Sequence, residues 1–214
     1  MLTSAAIPTS RKIRNRRNVS AIAPEFYLDL VPFGGVESET QQIAWPPQGD
    51  FVMSVAGFHD ALTDAVPVRV NDRLLVPVVS PAGLLLLKLL AWNERRNQKP
   101  GRDASDIAYV LRHAVRLISG RILFEEHLSV VDRLGYDIDR AAAYVLGGRI
   151  RALASAKTRE KLLTVLAPPA TEAEDAMLVR DVSAYMLSED SERVGARLRQ
   201  LEAGFEAKPD MDTA

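Results

Sequence analysis

Six of the seven residues from Leu84 to Leu90 are leucine, and the seventh, Lys88, is a cation. A helix through this run is apolar around most of its circumference, so the rest of the domain has to enclose it. Ser80 is a good N-cap and Pro81 suits the first helical position, which predicts a helix over 81–96. Lys88 is costly there unless its ammonium is paired or its flexible stem carries the charge to water. Two readings follow. Either Lys88 snorkels outward or pairs with a core carboxylate, or it stands on a cleft wall and receives an anion such as a phosphate.

The next residues supply partners for either reading. Glu94-Arg95-Arg96 ends the helix in charge, and Lys99-Pro100-Gly101 breaks it. A second helix then opens at Asp103-Ala104-Ser105-Asp106, with Ile107, Val110, Leu111 and Ala114 at helical spacing. Asp103 is placed to cap that helix, and Asp106 adds negative charge to its first turn. The loop brings cations and carboxylates close to the leucine helix, as one wall of a polar pocket would.

Upstream the pattern is that of strands. Arg11, Lys12, Arg14, Arg16 and Arg17 form a basic cluster with little apolar periodicity, read as a flexible arm or edge strand. Solvation explains such a run, and a polynucleotide backbone is its functional alternative. Residues 25–33 alternate as a strand, with Phe26, Leu28 and Leu30 on one face, ended by Pro32-Phe33-Gly34-Gly35. Asp29 lies within it. A carboxylate in a strand is paired, exposed on an edge, or a ligand for a divalent metal. Shorter extended segments are expected over 41–45 and 51–58, with Pro46-Pro47 between them and a short helix over 59–65. Val66 to Val79 alternates around Asn71-Asp72 and predicts a hairpin. His59 has no metal-ligand spacing with the other two histidines and reads as a surface or capping residue.

After Ser80 the chain is helical throughout. Further helices are expected over 103–118, 122–133, 137–154, 158–167, 171–186 and 189–205, capped at Thr171 (with Glu174 completing a capping box) and Ser188. A chain of 214 residues can bury one substantial core. Its net charge of -1 gives no overall field toward nucleic acid or membrane, and the absence of cysteine rules out disulfides and thiolate metal sites. That cysteine count fits a reducing cytoplasm. No apolar run is long enough to span a bilayer, so no membrane partner is expected.

Several blocks in order carry a resemblance. They are Leu28 to Gly35 (LDLVPFGG), Ile43-Ala44-Trp45-Pro46-Pro47, Val55-Ala56-Gly57-Phe58, and Ser80-Pro81-Ala82-Gly83 through Lys88 and Trp92 to Arg102-Asp103-Ala104-Ser105-Asp106. Over roughly residues 25–112 the chain resembles predicted nucleotidyltransferases related to the AbiEii/AbiGii-type toxins, of the DNA polymerase β-like nucleotidyltransferase superfamily. The resemblance implies an α+β fold, a partial nucleotidyltransferase-like mixed β-sheet followed by a helical C-terminal bundle. It divides the chain into a basic segment (1–24), a nucleotidyltransferase-like domain (25–118), a helical region (119–206) and a frayed tail (207–214).

The same resemblance assigns roles. Asp29 matches the third aspartate of the superfamily's metal site and would be the catalytic, Mg²⁺-holding carboxylate. Lys88 matches a lysine suited to nucleotide phosphates, with Arg95 or Arg96 assisting, and Asp103 and Asp106 match acidic positions of a downstream pocket motif. The implied activity is NTP- and Mg²⁺-dependent transfer of a nucleoside monophosphate to an RNA, tRNA included, or to a protein. A cognate antitoxin is the implied partner. One departure stands out: no Gly-Ser motif followed by an Asp-x-Asp pair precedes Asp29, and no carboxylate precedes Glu25. Two-metal phosphoryl chemistry needs several carboxylates. The expectation is an N-terminally shortened enzyme whose strand around Asp29 lacks a partner; the alternative is a non-catalytic module binding nucleotide, RNA or a protein partner.

Overall fold

In a computed structural model of the chain, the described residues are 19–23, 26–44, 49, 51–99, 101–166, 172–187 and 189–207. For 19–23, 26–29 and 172–176 the backbone alone is described. The residues form two compact units divided between Val55 and Ala56.

In the first unit, β1 (Val19–Ala23) pairs antiparallel with β2 (Phe26–Asp29), with Val19 opposite Asp29 and Ala21 opposite Tyr27. The strand expected over 25–33 therefore ends at Asp29. Beyond it Pro32 has no N–H to give a ladder, and Gly34 turns the chain at φ 84°. The strand around Asp29 is not unpartnered as expected, because β1 covers it. The basic cluster Arg11 to Arg17 lies outside the described residues, as does the Pro46-Pro47 turn. A second antiparallel pair joins β3 (Gln42–Ala44) to β4 (Val52–Ser54), Ile43 opposite Met53. β4 stops short of Phe58 because Gly57, at φ 78°, redirects the backbone into a helix.

The second unit opens with that helix, α1 (Phe58–Thr63), followed by the hairpin of β5 (Val66–Asn71) and β6 (Leu74–Val78). Its turn is where Asn71-Asp72 placed it: the Asn71 side-chain oxygen accepts the Arg73 N–H at 2.9 Å. Val66 faces Val78, Val68 faces Val76, and Pro67 faces Pro77. Both strands are largely exposed, so the alternation marks a hairpin without a buried face. The α+β architecture is as expected, and every strand pair among the described residues is a separate antiparallel ribbon.

The helices are α2 (Pro81–Arg95), α3 (Arg102–Arg112), α4 (Ala114–Ile118), α5 (Gly120–Glu126), α6 (Leu128–Arg133), α7 (Ile138–Leu153), α8 (Ala156–Leu166), α9 (Glu172–Ser183) and α10 (Ser191–Glu206). Ser80 caps α2 by accepting the Gly83 N–H at 3.0 Å. Two expected helices are broken: 103–118 at His113 and 122–133 at His127, both with φ beyond -100° and ψ near zero. Asp190 rather than Ser188 caps α10, accepting the Arg193 N–H at 2.8 Å. Ser188, Thr171 and residues 208–214 lie outside the described residues, and so does the Glu174 side chain. Leu85, Leu86 and Leu89 are fully buried in one core with Ile107, Leu111, Leu146, Leu162 and Leu201. Each such side chain contributes about 1.5–3 kcal/mol.

α7 and α10 run parallel. Asp139 meets Arg197, Gly147 meets Leu201, and Arg151 Nη1 donates to the Phe205 carbonyl at 3.1 Å, so rising numbers on one helix meet rising numbers on the other. Two glycines let the backbones touch. A Cβ on Gly147 would strike the Leu201 carbonyl oxygen, and one on Gly204 would strike that of Tyr144, whereas a Cβ on Gly148 meets nothing nearer than 3.8 Å. Gly147→Ala and Gly204→Ala should each cost about 1–3 kcal/mol by overpacking. Gly148→Ala should be neutral or stabilising by up to about 1 kcal/mol. Urea unfolding of the three variants measures the difference, and equal effects would refute the direct helix contact.

Candidate functional site

Lys88 and Arg95 stand seven residues apart on α2, two turns along one stripe, and Asp103 and Asp106 stand three apart on one face of α3. Gly101, at φ 86°, turns the chain between the helices, and the Tyr185 hydroxyl occupies the space a side chain would need there. The turn lays the two charged stripes against each other. Arg95 grips Asp103 with both prongs of its guanidinium, Nε at 2.6 Å from Oδ2 and Nη2 at 2.7 Å from Oδ1. Lys88 Nζ lies 2.6 Å from Asp106 Oδ2 and 3.5 Å from Asp103 Oδ1. Lys88 is thus paired, and its partners come from α3.

The cluster is graded in exposure. The Asp103 side chain is 2% exposed, Lys88 23%, Arg95 34% and Asp106 43%. Asp103 was expected to cap α3, but Gly101 holds that place and no side chain caps the helix. A carboxylate this deep needs a cation more than it needs a helix N–H, and the guanidinium fork satisfies both of its oxygens. Burial alone would push the Asp103 carboxyl up; the hydrogen bonds and charge of Arg95, joined by Lys88, outweigh it and hold the group below the usual carboxylate range. Its hydrogen bond to Asp103 raises Arg95 above the ordinary arginine value, with burial opposing.

Four expected site residues are therefore brought together: Lys88, Arg95, Asp103 and Asp106. Arg96 is not among them; its guanidinium lies 4.8 Å from the Trp92 ring centroid and Nη1 donates to Asn93 at 3.1 Å. Asp29 belongs to the other unit, where it closes β2, and its side chain lies outside the described part of the structure. One neighbour was not legible: the buried Trp92 indole N–H donates to Asp181 of α9 at 3.1 Å. A buried tryptophan calls for an acceptor, but its sequence names none. Among the described residues no group of three or more His, Asp or Glu side chains could hold a metal ion. Arg95 takes both oxygens of Asp103 and Lys88 takes Asp106, so these residues do not by themselves fit a Mg²⁺ site.

A family model described as "Nucleotidyl transferase AbiEii toxin, Type IV TA system" matches residues 11–200. The chain belongs to this family. The AbiEii match runs well past residue 112, where the motif resemblance ended, so the helices through Gln200 are part of the family's domain too. Membership makes the chain a nucleotidyltransferase-type toxin protein and implies a cognate antitoxin. The chemistry of nucleotidyltransferases typically uses a divalent metal. No curated protein and no solved structure matches the chain. No described helix is long and apolar enough to cross a membrane.

The exposure gradient predicts an asymmetry. Arg95→Ala strands a buried carboxylate and should cost about 3–5 kcal/mol, whereas Asp106→Ala removes a partner at the surface and should cost no more than about 1 kcal/mol. The pH dependence follows from the depressed Asp103 value. Its stabilisation is complete above the unfolded-state value of about 4 and is lost as pH falls through the lower folded-state value. Urea titrations from neutral pH downward should show this acid-side loss, and Asp103→Asn should lack it.

Proposed function

We propose that this AbiEii-family chain binds a nucleoside triphosphate through Lys88 and transfers its nucleoside monophosphate to an RNA, with tRNA among the acceptors, or to a protein, in the cytoplasm. The observation that carries the reading is the pair of Lys88 with the exposed Asp106, beside the buried carboxylate of Asp103. A phosphate can displace Asp106 from the ammonium there, because Asp106 is free to turn to water. Lys88 would then neutralise charge on the triphosphate. Asp103 stays clamped to Arg95, and that pair fixes the α2–α3 wall from which Lys88 projects. Asp106 acts by yielding its place.

Mg²⁺ is the metal expected with the nucleotide, and Asp29 is the carboxylate proposed to hold it. The carboxylates of the ion cluster are both held by cations, Asp103 by Arg95 and Asp106 by Lys88. The second reading is that the chain binds nucleotide, RNA or a protein partner without turnover.

At ten times its dissociation constant, an NTP with Mg²⁺ should add about 1.4 kcal/mol of stability, or roughly 3–5 °C in Tm for a chain of this size. Lys88→Ala should remove the shift. A melting curve unchanged at saturating concentrations of each NTP would overturn nucleotide binding. Transfer of label from α-labelled NTPs to total RNA or protein separates the two readings: a thermal shift without label transfer leaves the binding module.

A further inference from the structure

Away from the ion cluster, the start of α2, the end of α1, the first residue of β5, α4 and the last turns of α7 surround a cavity of about 680 Å³. That size suits a small organic ligand. Its walls are mostly aliphatic, with Val66, Pro81, Leu117 and Leu153 contributing, and Val66 and Leu117 are 51% and 38% exposed. Two charged residues line it, Arg149 and Asp64. Asp64 is engaged, since its carboxylate accepts the hydroxyl proton of the α2 cap Ser80.

Arg149 is different. It is half-buried, and among the described residues it has neither a hydrogen-bond acceptor nor an ion-pair partner. Arg95 and Arg197 each hold a carboxylate, and Arg151 and Arg159 each donate to a backbone carbonyl. The Arg149 guanidinium, without a partner among the described residues, presents a planar fork that matches a carboxylate.

We propose that this cavity binds a small aliphatic carboxylate, its chain against Val66, Leu117 and Leu153 and its carboxylate on the Arg149 guanidinium. The site is separate from Lys88 and does not depend on nucleotide binding. Calorimetric titration of the full chain with octanoate and with octanol tests it. Octanoate should bind saturably and at least about tenfold more tightly than octanol, as a charge-assisted bidentate contact implies. Arg149→Gln should remove that preference while leaving octanol binding and Tm unchanged. Ala152→Trp, which fills the cavity from α7, should weaken both ligands. Equal affinity for octanoate and octanol, full octanoate affinity in either variant, or no saturable binding would overturn the proposal.

Discussion

The two-pronged contact between Arg95 and Asp103 is the interaction on which the arrangement of the ion cluster depends. α2 is enclosed on most sides by leucine contacts, and α3 packs directly on it. A hairpin of helices with an apolar interior could slide or rotate by a turn with little loss, since leucine packs acceptably against many aliphatic neighbours. A carboxylate at 2% exposure cannot. Its charge is tolerable only where the guanidinium meets it, so the pair fixes the register of α3 on α2. Lys88 inherits its position from that register, which is why a flexible side chain on a greasy helix ends beside Asp106.

A comparable logic operates at the other end of the helical unit. Parallel helices point their dipoles the same way, an arrangement that the two N-termini disfavour. α7 and α10 accept it with carboxylates at both starts: Asp137 and Asp190 cap the two helices, and Asp139 and Glu192 lie in their first turns. Arg197, buried, bridges Asp139 at 2.9 Å and Glu189 at 3.1 Å and ties the start of α7 to the residues before α10. Gly147 and Gly204 then bring the backbones into contact farther along.

How much of this was legible follows from the range of each interaction. The α2 cap, the hairpin turn and the helical second half are local, and Ser80-Pro81, Asn71-Asp72 and the spaced leucines announce them. The four charged residues of the cluster were identified as site candidates, because all lie within one helix-turn-helix. Their pairing was not: the sequence does not say that Asp103 abandons the cap for Arg95. The breaks at His113 and His127 carry no glycine or proline signal. The Trp92–Asp181 bond and the parallel α7–α10 contact join residues far apart in the chain, and no local pattern encodes such meetings. The pairing of β2 with β1 was masked by the basic composition just before it.

The exposed hairpin of β5 and β6 has a further consequence. Ribbons rich in valine with free rims are templates for stacking into fibrils. Here Pro67 sits across from Pro77, and proline is tolerated in a ribbon where its missing N–H would have faced outward. Each rim therefore lacks a donor at the same height, and an incoming strand from another molecule finds an interrupted ladder on either side. The two prolines thus set a local barrier to strand addition on a hairpin whose valines face water.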